Sequence, residues 1–211
     1  MITKRSKSSE KTNIRRSRET ARKAKNIIVI GSSTGGPKTL TTLFANLPRL
    51  DASVILVQHM PKFMNESLRK RLDTSTEMEV ILAQEGSLLH DGVVYIAPSE
   101  VHLELVQNNS IRLFKGEKVN YTCPSIDVTM MSLQKNLNEH FTGVLLTGMG
   151  KDGADGLSHI KYIGGVTIAQ SEQTCMIYGM PKAAAETGKV DIVLSPQEIK
   201  SKLIEMACTK S

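Results

Sequence analysis

The sequence predicts an α/β fold: a doubly wound, mostly parallel sheet with helices on both faces and one antiparallel hairpin. Short β-branched apolar runs alternate with helical patterns from residue 26 onward, and this alternation favours a parallel sheet. The first runs are apolar throughout instead of at every second position, which is typical of strands buried on both faces. Two neighbouring apolar runs have no helical pattern between them, and we expect these two to form the hairpin.

The first predicted strand is the run Ile27–Ile30, which ends at Gly31. Pro37 suits the first turn of the helix that follows, because its missing N–H has no partner there anyway. The remaining apolar runs predict strands at 54–57, 80–83, 93–97, 142–146, 166–169 and 191–194. Helical spacing of apolar residues predicts helices after Pro37, through Phe63 to Leu72, and at about 125–138, 153–163, 180–187 and 196–206.

The predicted hairpin consists of residues 101–106 and 110–114, which flank Gln107-Asn108-Asn109. Two β-branched runs joined by a short polar connection are typical of antiparallel pairing. In a doubly wound sheet, ligands bind beyond the carboxyl ends of the parallel strands. Polar residues that directly follow a predicted strand are therefore the first candidates for a functional site.

Composition limits the class of protein. The chain has 211 residues, of which 40% are hydrophobic and 4% aromatic, with no Trp. It contains no apolar run near the roughly 20 residues that a membrane span needs, and no apolar stretch follows the charged N-terminus as in a secretory signal. The three cysteines form no CxxC pair, which argues against a disulfide framework or a thiolate zinc site. We therefore expect a cytoplasmic protein without membrane insertion.

The positive charge is confined to the N-terminus. The chain carries a net charge of +6, yet residues 1–25 hold ten basic and two acidic side chains, so residues 26–211 hold 17 basic and 19 acidic ones. The first 25 residues contain no aromatic side chain and are expected to be a basic, flexible tail or linker beside a domain at 26–211. No stacking aromatic residues or groove-binding motif accompany the charge, so no nucleic acid is expected as a partner.

The strongest motif follows the first strand. Gly31-Ser32-Ser33-Thr34-Gly35 fits the pattern G-x-S-x-G between a predicted strand and a predicted helix, which is the context of a nucleophile elbow. The small residues permit a tight turn with the Ser33 hydroxyl exposed at its apex. Ser33 is therefore the candidate nucleophile, and a Gly/Ser connector without chemistry is the alternative.

Residues 31–39 also resemble a phosphate-binding loop, which gives a second hypothesis. In the pattern G-x-x-x-x-G-K-[ST], Pro37 is inserted between Gly36 and Lys38. The proline displaces the lysine by one position and removes a backbone N–H that would face phosphate. A phosphate- or nucleotide-binding α/β protein that uses this loop remains an alternative.

A nucleophilic serine needs a base and an acid that orients it. His59 follows the predicted strand at 54–57, so it lies at the sheet edge of Ser33 if the two strands are neighbours. Asp152 lies in a glycine-rich segment after the strand at 142–146, where it is suited to accept a hydrogen bond from His59. Backbone N–H groups around Met149 are candidates for stabilising an oxyanion. Alternatively, Asp152 caps the following helix.

The chain resembles the catalytic domain of the chemotaxis protein-glutamate methylesterases, the CheB-type enzymes. Seven motifs, in order along residues 26 to about 195, carry the resemblance. They are Ile30-Gly31-Ser32-Ser33-Thr34-Gly35-Gly36, Gln58-His59-Met60-Pro61, Tyr95-Ile96-Ala97-Pro98, Pro124-Ser125-Ile126-Asp127, Thr147-Gly148-Met149-Gly150-Lys151-Asp152-Gly153-Ala154, Ile168-Ala169-Gln170 and Tyr178-Gly179-Met180-Pro181. Thr122-Cys123 departs from the His-Arg pair that is common in the family before the proline, which leaves rim contacts and substrate preference open.

The resemblance implies a Ser33–His59–Asp152 triad that hydrolyses γ-glutamyl methyl esters on chemoreceptor helices, releasing methanol, and that also deamidates receptor glutamines. It places Thr34 and Met149 at the active site. With their glycine neighbours Gly35 and Gly150, they are the expected oxyanion and substrate-binding residues. No cofactor and no metal ion are expected.

Most members of this family also carry a receiver domain that covers the active site. Twenty-five residues are too few to form a domain, so we expect either an isolated catalytic portion or a form that is regulated differently. A third hypothesis keeps the fold but not the chemistry: a catalytically inert module that docks to receptors.

Overall fold

Nine strands and six α-helices make up the computed structural model, which describes residues 22–207. The strands are β1 Asn26–Ser32, β2 Ser53–Gln58, β3 Glu79–Leu82, β4 Val93–Ile96, β5 His102–Val106, β6 Ser110–Phe114, β7 His140–Leu145, β8 Val166–Gln170 and β9 Ile192–Leu194. The helices are α1 Gly36–Phe44, α2 Asn65–Asp73, α3 Ile126–Met131, α4 Ala154–Tyr162, α5 Met180–Glu186 and α6 Pro196–Ala207.

Seven of the strands form one parallel sheet in the order β3-β4-β2-β1-β7-β8-β9. Strands β5 and β6 pair antiparallel in a separate sheet. The predicted fold class, including the hairpin, is thus confirmed. Because β2 and β7 pair with opposite edges of β1, the strand order reverses at β1, and ligands bind at such a reversal in open α/β sheets.

Helices cover both faces of the sheet because β1 is apolar on both sides. Ile27 and Val29 belong to one buried cluster, which includes residues of α3, α4, α5 and the hairpin. Ile28 and Ile30 belong to a second cluster, which includes residues of α1, α2 and α6. Successive residues of a strand point to opposite faces, so an unbroken apolar run is what a strand between two layers of helices requires.

Two predicted helices differ from the structure. The pattern at 125–138 predicts a long helix, but α3 ends at Met131. Leu133 is still buried in the core, but the residues after it are polar apart from Leu137, which is 92% exposed, so no apolar contact beyond Leu133 sustains further turns. The second predicted helix includes Phe63 in its apolar face. Phe63 lies instead in a 3₁₀ turn, Lys62–Met64, and is 82% exposed.

Most of the predicted tail, residues 1–21, lies outside the described residues. Residues 22–25 pack against the body: Ala24 is buried and its N–H donates to the Leu89 carbonyl (3.1 Å). The Lys25 carbonyl accepts a hydrogen bond from the His140 N–H (2.8 Å). These contacts attach the residues just before β1 to the domain. The division of the chain into a tail and a domain stays a prediction.

Candidate active site

The register of β1 and β2 brings Ser33 and His59 side by side. Ser32 pairs with Gln58 at the ends of the two strands, and the His59 N–H donates to the Ser32 carbonyl (3.0 Å). Neighbouring strands lie about 4.8 Å apart, so the two following residues leave the sheet at the same edge and next to each other. Within residues 22–207, no hydrogen bond joins the Ser33 hydroxyl to the His59 ring.

Gln58 fixes the two strand ends to one another. Its amide nitrogen donates to the carbonyls of Ser33 (3.0 Å) and His59 (2.7 Å), and its amide oxygen accepts from the Ser32 hydroxyl (2.7 Å). A Cβ at Gly36 would lie 2.0 Å from that amide oxygen, so only glycine leaves room for the Gln58 side chain there. The backbones that carry the candidate nucleophile and base are therefore held by one buried side chain.

The turn that carries Ser33 is also held from the β7 side. The Ser33 N–H donates to the Thr147 carbonyl (3.0 Å), and the Thr147 hydroxyl donates to the Thr34 carbonyl (3.0 Å). Gly35 then adopts φ +84°, a left-handed conformation that favours glycine. Helix α1 begins at Gly36 with Pro37 in its first turn. This sharp strand-to-helix turn leaves Ser33 half-buried at its apex.

The backbone N–H groups of Thr34 and Met149, near Ser33, are among those without a hydrogen-bond partner in the described part of the chain. The main chain of Gly148 runs close to the candidate nucleophile, since a Cβ built there would lie 2.7 Å from the Ser33 Cβ. Gly150 follows with φ +91°, and the Met149 side chain is exposed. Unpaired N–H groups beside an exposed hydroxyl are the parts from which an oxyanion hole is made.

His59 and Asp152 are in direct contact. The Nε2 atom of His59 lies 2.9 Å from Oδ2 of Asp152, and both side chains are largely buried. The Nδ1 atom of His59 has no partner within the described part of the chain. Because the ring nitrogen bonded to a carboxylate carries the proton in the neutral imidazole, Nδ1 is left with the lone pair that a base needs.

The carboxylate of Asp152 lies in a dense set of donors. Its Oδ2 accepts hydrogen bonds from the Ile126 N–H (2.7 Å) and the Thr122 hydroxyl (3.1 Å) in addition to His59. Its Oδ1 accepts from the Ser125 hydroxyl (2.7 Å) and the Asp127 N–H (3.2 Å). The orientation of the carboxylate is thus fixed before any substrate is bound.

These donors determine the ionisation of Asp152. Burial acts to raise its pKa, but the hydrogen bonds from His59, the Ile126 N–H and Ser125 outweigh burial and hold the pKa of Asp152 well below its usual range. Hydrogen bonds to the charged form of an acid favour that form. Asp152 is therefore negatively charged wherever His59 acts as a base.

The alternative role of Asp152 as the cap of its own helix does not agree with these contacts. Helix α4 follows Gly153 and receives no capping hydrogen bond from the residue at its start. Its first N–H groups, those of Gly153 (2.9 Å) and Gly156 (2.7 Å), donate instead to Oδ1 of Asp127. The Asp152 carboxylate binds the start of a different helix, α3.

Sequence reasoning missed most of the residues that support this site. The motifs give Gln58 and Thr147 no role of their own, although a polar residue that directly ends a buried apolar strand is a usable signal. Thr122 was assigned to the rim, but its hydroxyl reaches the Asp152 carboxylate. Asp127 and Ser125 had no assigned role, because their partner Asp152 lies about 25 residues away in the chain.

The contacts of the glycine loop do not favour phosphate binding. Of its N–H groups, that of Ser33 is bonded to Thr147 and that of Gly36 to the Ser33 carbonyl (2.8 Å). Between them only the N–H groups of Thr34 and Gly35 are free of partners among the described residues, and Pro37 has no N–H, whereas a phosphate-binding loop presents a longer run of free N–H groups to its ligand.

Across residues 22–207, no group of three or more His, Cys, Asp and Glu side chains is arranged to hold a metal ion. In the same stretch, no helix has the length and apolarity needed to cross a membrane.

Comparison with known proteins gives consistent matches. The family model described as CheB methylesterase matches residues 28–203. Two curated relatives, from Thermotoga maritima and Clostridium acetobutylicum, are each 42% identical over 85% of this chain, and each is named protein-glutamate methylesterase/protein-glutamine glutaminase. A crystal structure of the Thermotoga maritima CheB methylesterase catalytic domain aligns with a TM-score of 0.80 at 42% identity, covering 86% of this chain and 98% of that one.

The chain spans about half the length of the curated relatives it matches, 54% of the first and 52% of the second. The match to the isolated catalytic domain covers nearly all of that solved chain. The similarity therefore concerns the hydrolase fold and not the further parts of those longer relatives.

Proposed function

Because the chain belongs to the CheB methylesterase family, we propose that it is a serine hydrolase that removes methyl groups from γ-glutamyl methyl esters of chemoreceptors. One observation carries the proposal most directly. Three loops from β1, β2 and β7 bring Ser33, His59 and Asp152 to one edge of the sheet, with His59 bonded to Asp152 through Nε2. That arrangement leaves Nδ1 of His59 available to Ser33. The alternatives of a phosphate-binding loop and an inert docking module lack comparable support.

In the first half of the reaction, Nδ1 of His59 takes the Ser33 proton as Oγ attacks the ester carbonyl. The imidazolium that forms is stabilised by the negative charge of Asp152. The carbonyl oxygen becomes an oxyanion, which the free N–H groups of Thr34 and Met149 bind. His59 then returns the proton to the methoxy oxygen, so methanol leaves and an ester of Ser33 remains.

In the second half, His59 takes a proton from water, whose oxygen attacks the ester carbonyl of the acylated Ser33. The tetrahedral intermediate collapses, the proton returns to Oγ of Ser33, and the glutamate side chain is released. A glutamine side chain in the same position would yield ammonia instead of methanol in the first half. The same residues therefore support a protein-glutamine glutaminase activity.

Exposed apolar side chains around the site support a protein substrate. Phe63 lies four residues after His59, Tyr121 adjoins Thr122, and Met176 covers Gly35. All three are strongly exposed, as is Met149. Clustered exposed apolar residues typically mark interaction surfaces. They lie in four different segments, each next to a residue of the candidate site, as expected for a surface that receives a receptor helix.

The partners we propose are the cytoplasmic helices of methyl-accepting chemoreceptors. A receiver domain, which most members of the family have, is a second proposed partner. It would act on the surface formed by these exposed residues. The cytoplasmic location expected from the sequence follows from this choice of substrate.

The test is release of methanol from chemoreceptors methylated with a labelled methyl group. We expect turnover by the wild-type chain and none above background by Ser33→Ala, whose fold is checked by its melting temperature. Ser158→Ala is a matched control, because Ser158 lies on α4 and donates only to a carbonyl of its own helix. Undiminished turnover by Ser33→Ala would remove Ser33 from the mechanism, and a chain that releases no methanol would favour the docking alternative.

A further inference from the structure

Asp127 is a buried carboxylate beside Asp152 that the mechanism above does not use. Its side chain is 3% exposed, and its Oδ1 accepts the N–H groups of Gly153 (2.9 Å) and Gly156 (2.7 Å). Gly153 is the residue directly after Asp152. Asp127 therefore holds the backbone of the loop that presents the triad carboxylate.

The contacts between the two segments are reciprocal. Asp152 accepts the N–H groups of Ile126 and Asp127 at the start of α3, and Asp127 accepts those of Gly153 and Gly156 at the start of α4. Each carboxylate thus fixes the backbone that carries the other. A shift of α3 relative to α4 would break hydrogen bonds to both.

A side-chain amide joins the two carboxylates directly. Nδ2 of Asn120 lies 2.7 Å from Oδ2 of Asp127 and 3.4 Å from Oδ1 of Asp152. The two acids share this donor, so the position of one depends on the position of the other.

Capping of α4 does not by itself require a charged group in this place, since neutral Ser, Thr and Asn side chains accept such N–H groups as well. Burial and the charges of Asp152 and Asp155, against the opposing hydrogen bond from the Gly156 N–H, raise the pKa of Asp127 to about 6. On the hairpin side, Nδ1 of His102 accepts the N–H of Ser125, which lies two residues before Asp127. A second buried acid beside Asp152 costs stability, which suggests that its benefit lies elsewhere.

We propose that Asp127 is a positioning residue of the triad, which holds the Asp152 carboxylate in the place where it orients His59. The inference rests on the proposed hydrolase function. It assigns Asp127 no contact with substrate. Its effect is expected in the chemical step, because a misplacement of about 1 Å in a catalytic group costs roughly 100-fold in rate.

The test is Asp127→Asn with Asp155→Asn as its matched control. The amide keeps the shape and one oxygen for the glycine N–H groups, but its NH₂ then faces the NH₂ of Asn120 and the shared contact is lost. Asp155 is exposed in the first turn of α4, so its replacement removes the same charge nearby without touching Asp152.

Two readouts separate positioning from mere folding. The first is the rate at which a fluorophosphonate labels Ser33, together with kcat and KM for methanol release. We expect Asp127→Asn to lower the labelling rate and kcat about 10- to 100-fold at unchanged KM, and Asp155→Asn to leave both within twofold. The second is the downfield proton NMR signal of the His59–Asp152 hydrogen bond, which is expected to shift or broaden only in Asp127→Asn.

A folded Asp127→Asn with wild-type labelling, kcat and NMR signal would overturn the proposal. If that variant does not fold, Asn120→Gly decides, since Asn120 lies in a loop with φ +49° that glycine tolerates. A severalfold loss of kcat at unchanged KM then supports positioning, and an unchanged kcat rejects it. Labelling of Ser33 requires no receptor, so a wild-type chain that is labelled but releases no methanol rejects the proposed substrate and not this inference.

Discussion

Replacement of Asp152 by asparagine tests the electrostatic part of the mechanism. The amide is isosteric with the carboxylate, so Asp152→Asn removes the charge and leaves the volume. Its oxygen is expected to face His59 and the Ile126 N–H, because that backbone donor is the closer of the two (2.7 Å against 3.2 Å for Asp127) and cannot rotate. Its NH₂ then faces Ser125, whose hydroxyl can turn to accept.

In that orientation the tautomer of His59 is retained. The stabilisation of the imidazolium is lost, together with the longer hydrogen bond from the Asp127 N–H (3.2 Å). The His59 and Asp152 side chains touch at 2.9 Å, which puts the centres of charge about 4 Å apart. At an effective dielectric constant near 20, unit charges at that distance attract by about 4 kcal/mol. Since about 1.4 kcal/mol changes a rate tenfold, kcat is expected to fall about 10³-fold.

The assay is methanol release under saturating substrate, with the melting temperature measured on the same samples. KM is expected to stay unchanged, because the charge acts on the transition state and not on the bound ester. The control is Asp155→Asn, which is expected to retain activity within twofold. A fall of less than tenfold in folded Asp152→Asn would refute the assigned role of the carboxylate.

Three further predictions concern the surroundings of the triad. Phe63→Ser is expected to raise KM for a methylated receptor about tenfold while leaving hydrolysis of a small ester unchanged, and Tyr162→Ser, which removes an equally exposed aromatic residue on α4, is expected to change neither. Gly148→Ala places a methyl group 2.2 Å from Met180 Sδ and 2.7 Å from Ser33 Cβ, so both neighbours must shift. Labelling of Ser33 by a fluorophosphonate is therefore expected to slow at least tenfold, and an unaffected rate would contradict this packing. The pKa of Asp127 is raised to about 6. Between about pH 4 and 6, Asp127 therefore keeps its proton in the native state and has lost it in the unfolded state. The stability of the wild type relative to Asp127→Asn is therefore expected to fall by up to about 3 kcal/mol from pH 4 to pH 7 in urea denaturation, and a constant difference would contradict the raised pKa.

The fold was predictable because its main determinant is local. An unbroken apolar run such as Ile27–Ile30 reports burial on both faces without reference to the rest of the chain. The alternation with helical patterns then gives the parallel sheet. The length of α3 was not predictable in the same way, since its end at Met131 depends on which later side chains find apolar contacts.

The candidate site likewise contains residues that the sequence predicts and residues that it does not. Ser33, His59 and Asp152 each directly follow a strand or a strand-end loop, so their shared edge followed from topology. The residues that hold them, such as Gln58 and Asp127, act through contacts between segments far apart in sequence. The Asp127 carboxylate, on α3, caps α4, and the Asp152 carboxylate, just before α4, caps α3. No pattern within either segment indicates these contacts.

The site at which a fluorophosphonate ester attaches to the chain tests directly whether His59 activates Ser33 as the nucleophile. A phosphonate reacts with a serine hydroxyl only where a base activates it, so the account predicts one adduct, on the peptide that contains Ser33. The adduct is expected to disappear in His59→Ala, while the melting temperature stays close to that of the wild type. An adduct on another residue, or labelling of Ser33 at the wild-type rate without His59, would contradict the account.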